Sequence, residues 1–318
     1  MKESAINKVI GDISEEKKAA ILKQRKDIFE KQQFKDLREL EKEKTPEELY
    51  VINLVNDVTN QVCRDLGLED FNIAEKNVHV VKKEKWFRKE SETEGFCEPL
   101  RGFVLMQERL PRIVFARNLL HEMIHMKLWN AAQMTREATP KLRMYRSGIS
   151  TTMRDGSRRA LNTINEAVIE ELAIRYFPRI MSNSIFADEI RSTEDLLSQF
   201  PIAEINGVPL DVRDPEYGVY YIEPTNPQEP NMRTKTYRSL RPKERAILKL
   251  LVGKIKDGEK DAFKDRDEVF FLFARSVATG DLVPLWNVID RIFPNGTFNK
   301  IAELDDKPEE LREFIASL

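Results

Sequence analysis

The chain has 318 residues, enough for one large domain or two ordinary ones, and its 41% hydrophobic content supports a buried core and excludes a disordered protein. Its 52 basic and 54 acidic side chains leave a net charge of −2, so nothing in the charge balance points to a nucleic-acid partner or to an anionic membrane surface. The first twenty residues (MKESAINKVIGDISEEKKAA) lack the apolar core of a signal peptide, and no apolar run is long enough to span a bilayer, so a cytoplasmic protein without membrane contact is expected.

Residues 13–44 are dense in mixed charge and read as a solvated helix or helical pair. Thr45-Pro46-Glu47-Glu48 is a helix start: a capping threonine, proline at the first position, then acids near the positive end of the dipole. The helix it opens ends near Gly67. Between 77 and 116, NVHVV, RGFVLMQE and RIVFA are short β-branched or aromatic runs that predict about three strands. A helix is expected from Ala116 to Asn130, then a polar, irregular stretch over 131–157 with RSG and RDGS as turns. A second strong helix covers 158–177 and should stop before Pro178. Residues 205–235 read as strand fragments and loops, and helices follow at 241–256, 266–278, 283–293 and 307–317. The pattern predicts an α+β protein in three regions: a charged helical region over 1–68, a core over 69–185, and a mostly helical region over 186–318.

The chemistry concentrates in LLHEMIHMKLW, residues 119–129. On a helix, His121 and His125 stand about 40° apart around the axis and one turn apart in height, so both reach one tetrahedral ion. Glu122 sits about 100° round, beside such an ion, where it can take a proton from water. Leu119, Leu120, Met123, Ile124, Met126 and Leu128 cover the other faces, which makes this a buried helix. Two histidines and a glutamate buried without partners carry a desolvation cost of several kcal/mol, and a zinc ion removes it. Cys63 and Cys97 form no CxxC, so a thiolate zinc site is excluded and two free thiols are expected.

A catalytic zinc site takes a third protein ligand and leaves one position open. The only other histidine, His79, lies in the strand-like NVHVV and reads as an ordinary strand residue. Leu128 and Ala131 stand where an extended HExxHxxGxxH motif needs Gly and His. The best candidate is the carboxylate face of INEAVIEELA, where Glu166 and Glu170 are four residues apart and share one side of a helix. A buried acidic pair stays ionised only beside a cation. Glu171 and Arg175 form an i,i+4 pair on another face and are expected in solvent.

HEMIH followed by Asn165-Glu166-Ala167-Val168-Ile169-Glu170 resembles the gluzincin zinc metallopeptidases, whose second motif is NE followed by a further acid. The resemblance spans about a quarter of the chain, residues 100–180, and implies a zincin-like catalytic core inside the α+β fold. It also implies Glu166 as third zinc ligand and Glu170 as the carboxylate that orients the His121 imidazole, a role such groups have at metal sites generally. The implied activity is hydrolysis of peptide bonds in a peptide or protein substrate, with Glu122 moving the proton. For the oxyanion, Tyr145, Arg146, Tyr220, Tyr221, Tyr237 and Arg238 are candidates, with Tyr237 preferred. The resemblance further implies a substrate strand added to an edge of the sheet, with RGFVLMQE or RIVFA as that edge. Cys97 upstream reads as a simple cysteine rather than a thiol switch on zinc. Two rival classes stay open: a non-peptidase zinc amide hydrolase, and an inactive or regulatory binding protein on the same fold.

Overall fold

The computed structural model describes residues 4–31, 37, 39–86, 94–108, 110–135, 141–153, 156, 158–199, 203–205, 208–210, 219–224, 234–238 and 241–318, without the side chains of residues 29, 31 and 196–240. A short strand β1 (Lys8–Ile10) leads into helix α1 (Glu15–Lys31), none of whose described side chains is buried, as its mixed charge requires. The predicted start at Thr45 is a complete capping box. The threonine hydroxyl accepts the Glu48 N–H at 3.1 Å, and the Glu48 carboxylate accepts the Thr45 N–H at 2.8 Å. It opens helix α2 (Pro46–Asp65), which buries Val51, Ile52, Val55, Val58 and Val62 along one face.

Strands β2 (Val78–Val81), β3 (Gly95–Glu98) and β4 (Phe103–Gln107) form a mixed sheet in the order β2-β4-β3, with β2 parallel and β3 antiparallel to β4. RIVFA is no strand. It is the first turn of helix α3 (Arg112–Lys127), and Ile113, Val114, Phe115 and Ala116 are all buried there. A helix buried on every side shows neither a period of two nor of 3.6, so its β-branched residues imitate a core strand.

The stretch expected to be irregular is instead sheet. Strands β5 (Asn130–Met134), β6 (Leu142–Ser147), β7 (Ser150–Thr152) and β8 (Arg159–Ala160) join β1 in the order β1-β5-β6-β7-β8, all antiparallel except β1 with β5. NAAQM has little intrinsic strand preference, but Ala131 and Ala132 are fully buried between two partners, and that pairing decides its conformation.

Helix α4 (Asn162–Met181) runs through Pro178 rather than stopping before it. The proline sits in the last turn, where buried Phe177 and Ile180 hold the backbone helical and the Pro178 carbonyl still accepts the Ser182 N–H at 3.0 Å. Helix α5 (Ala187–Gln199) was not anticipated. The hairpins β9 (Ala203–Ile205) with β10 (Val208–Leu210), and β11 (Val219–Pro224) with β12 (Thr234–Arg238), fall in the stretch read as strand fragments. Helices α6 (Pro242–Gly258), α7 (Arg266–Thr279), α8 (Val283–Ile292), α9 (Thr297–Glu303) and α10 (Pro308–Ser317) complete a mixed α+β fold with small mixed sheets.

Helix α3 lies between α2 and α4, with β3 and β4 also against it, and α4 packs in turn on α6 and α7. One apolar cluster runs through all of them, from Val55 through Met106, Leu120 and Ile169 to Leu251 and Phe273. The two central helices share a further device: neither caps its own N-terminus. Glu189 of α5 accepts the N–H groups of Arg112 and Ile113 at 2.9 and 2.7 Å, and Asp305 accepts those of Asn162 and Thr163 at 2.8 and 2.7 Å. Each carboxylate meets orphan donors at the positive end of a helix dipole. Burial nonetheless pushes the Asp305 carboxyl up from its ordinary value, against the lowering effect of these hydrogen bonds. Among the described residues, no helix is long and apolar enough to cross a membrane.

Candidate metal centre

The packing of α3 on α4 brings His121, His125 and Glu166 to one point. The two Nε2 atoms lie 3.2 Å apart, Glu166 Oε2 is 3.7 Å from His121 Nε2, and Glu166 Oε1 is 3.5 Å from His125 Nε2. Ligand atoms roughly 2.0–2.1 Å from a tetrahedral ion stand about 3.3 Å from one another, so these three atoms approximate one face of such a coordination shell. Two neutral imidazoles cannot turn bare lone pairs on each other at that separation without a proton or a cation between them. The electrostatics point the same way. Burial disfavours the His121 cation, but hydrogen bonds to Glu166 and Glu170 outweigh it and raise the ring to about 10. Burial likewise opposes ionisation of Glu166, yet the His125 charge and the contacts to both rings hold its carboxyl well below the usual range. The donor set is two nitrogens and one carboxylate that together attract positive charge, which fits zinc.

Glu170, fully buried, takes His121 from behind: its Oε2 lies 2.9 Å from Nδ1, which leaves Nε2 turned toward Glu166 and His125. The carboxylate face also meets an arginine at its buried end. Glu170 Oε1 accepts from Arg117 Nη2, and Arg117 is 2% exposed, with its guanidinium 5.8 Å from the centroid of the Phe177 ring. Arg117 lies four residues before His121, and sequence reasoning missed it because its partner lies 53 residues downstream on another helix. Glu171 departs from expectation too. It pairs with Arg175 at 3.3 Å but is half-buried, because it also holds the buried Arg245 at 3.2 Å.

Glu122 is half-buried on α3, beside the edge strand β3. A side chain at Gly95 would meet the Glu122 Cγ at 3.2 Å, so glycine permits this close approach of strand to helix. Two residues along, burial pushes the Cys97 thiol well up, with the neighbouring Glu122 carboxylate adding to it. Neither cysteine is in a disulfide, as expected. His79 stays in β2, its Nδ1 2.9 Å from Glu41 Oε2, and takes no part in the triad.

The oxyanion candidates fare unevenly. Arg146 lies in β6 with its guanidinium over the Trp129 ring, 5.2 Å from the centroid, and Tyr145 neighbours it on that strand. The backbones of Tyr220, Tyr221, Tyr237 and Arg238 belong to β11 and β12, where Tyr221 faces Tyr237 in register, but their side chains lie outside the described residues. Arg241 is the cation at the triad that the sequence did not suggest. Its Nη2 is 3.7 Å from Glu166 Oε2, its Nη1 is 3.6 Å from Glu244 Oε1, and 42% of its side chain is exposed. Nothing in the local pattern of RPKERA ties position 241 to a helix far upstream. No protein-family model matches the chain, and no curated protein or solved structure matches it.

Proposed function

We propose that the protein is a zinc-dependent metallopeptidase of the gluzincin kind, with a zincin-like core formed by α3, α4 and the β2-β4-β3 sheet. The observation that carries this reading is the meeting of His121 Nε2, His125 Nε2 and the Glu166 carboxylate within 3.2–3.7 Å of one another. These three residues would hold the ion, and Glu170 would fix the tautomer of His121 by accepting its Nδ1–H.

Bound there, zinc supplies Lewis acidity, which acidifies water and polarises a carbonyl. Glu122 accepts the proton of the attacking water and delivers it to the departing amine. The substrate edge is β3 in this reading, not RGFVLMQE, which is the central strand β4, nor RIVFA, which is helical. An extended peptide added to β3 would run past Glu122, its backbone pairing along the outer side of that strand.

The test is direct. The purified full chain should carry about one zinc per molecule, and Glu122→Gln should keep the metal while peptide-library cleavage falls by about 10²–10⁴-fold. A wild-type chain that neither contains nor takes up zinc overturns the proposal.

A further inference from the structure

We infer that Arg241 is the residue that receives the developing oxyanion, an assignment that rests on the hydrolytic reading above and adds a catalytic residue to it. Glu166 Oε2 lies between two groups, His121 Nε2 and Arg241 Nη2, each 3.7 Å away. Arg241 therefore borders the triad itself. Among the described residues two arginines flank the site, and they are placed for different work. Arg117 is sealed behind Glu170 at 2% exposure and meets no substrate, whereas Arg241 stands on the solvent side with 42% of its side chain accessible.

The contacts of Arg241 to Glu166 and Glu244, at 3.7 and 3.6 Å, are both longer than a hydrogen bond, so neither ties down its fork of N–H donors. Its backbone, by contrast, is fixed. Arg241 adopts φ 60 and ψ 44, the left-handed region that a non-glycine residue enters only when its surroundings hold it there. Pro242 begins α6 immediately after it, and the Arg241 carbonyl accepts the Arg245 N–H at 3.0 Å. An anchored backbone with a half-exposed guanidinium, held by these two longer ion-pair contacts alone among the described residues, is an arrangement suited to preorganised stabilisation of charge.

The chemistry balances without a further reactant. Water adds through oxygen to the amide carbon and gives its proton to Glu122, and the π electrons of the carbonyl move onto the carbonyl oxygen. That oxygen accepts from the Arg241 N–H groups. When its electron pair returns, the C–N bond breaks and the nitrogen takes the proton from Glu122, releasing an acid and an amine.

The experiment uses the zinc-loaded full chain, as wild type, Arg241→Ala and Arg241→Lys. Zinc affinity is measured by chelator competition, and affinity for N-phosphoryl-leucinamide, a tetrahedral anionic probe, by calorimetry. Arg241→Ala should weaken the probe about 10²-fold and, on a cleaved peptide, lower kcat by about 10²–10³-fold with little change in KM. Arg241→Lys should recover part of both, and zinc affinity should not fall in Arg241→Ala, because the arginine is a cation beside Glu166 and not a ligand. Probe binding unaffected by Arg241→Ala, or lost only in step with zinc, overturns the inference. A chain that cleaves no peptide yet binds the probe through Arg241 keeps the inference and overturns the peptidase reading.

Discussion

Glu170 Oε2 lies 2.9 Å from His121 Nδ1, on the side of the ring opposite Glu166. One helix thus presents a carboxylate to each nitrogen of the same imidazole, and the four-residue spacing of Glu166 and Glu170 is what makes this possible. Glu170→Gln keeps the shape and removes the charge, and it should weaken zinc binding by about 10–100-fold in chelator competition. Unchanged affinity would mean that His121 is oriented by the packing of α3 alone.

Arg117 and Glu170 form an ion pair with almost no exposure, so removing one partner strands the other. Arg117→Met should destabilise the fold by roughly 3–5 kcal/mol in chemical denaturation. The double variant Arg117→Met with Glu170→Gln should regain much of that stability without regaining zinc affinity. This separates the contribution of the pair to folding from the contribution of Glu170 to the metal.

Gly95→Ala tests the approach of β3 to Glu122. Its new methyl would stand 3.2 Å from both Glu122 Cγ and Met106 Sδ, close enough to displace them by a few tenths of an ångström. Zinc content should hold while kcat falls about tenfold, since misplacement by about 1 Å costs as much as 10²-fold. An unaltered kcat would show that Glu122 does not depend on this strand for its position.

Gly148 closes the turn between β6 and β7 at φ +56, and a Cβ there would fall 2.2 Å from Asn165 Oδ1. That oxygen accepts the Ile149 N–H at 3.0 Å, tying the turn to the helix that carries Glu166. Gly148→Ala should therefore destabilise the chain by about 2–4 kcal/mol, read from the denaturation midpoint. A loss below about 1 kcal/mol would show that the turn relaxes away from Asn165.

The sequence carried those parts of the fold and site whose cause is local. The capping box at Thr45, the one-turn spacing of His121 and His125, and the shared face of Glu166 and Glu170 each follow from residues within a few positions of one another. What was illegible depends on partners distant in the chain. NAAQM is a strand because β1 and β6 flank it, RIVFA imitates a strand because Ile113 to Ala116 are all buried in their helical turn, and Pro178 is tolerated because its neighbours are buried. Arg117 and Arg241 were missed for the same reason. One answers a glutamate 53 residues downstream, and the other meets Glu166 from the start of α6.

Asp305→Ala should leave α4 with two orphan N–H groups and cost about 1–2 kcal/mol, with fraying at its first turn seen as faster amide exchange near Asn162. Protection at Asn162 and Thr163 equal to wild type would show that other groups satisfy them.

The borrowed caps also impose an order in time. A ribosome delivers His121 and His125 well before Glu189, and it delivers the start of α4 143 residues before the Asp305 that finishes it. A nascent chain can place its histidines early, but the helix bearing Glu166 gains its final anchor only when the far end of the protein has been made and has folded back. The third side chain of the triad is thereby anchored last.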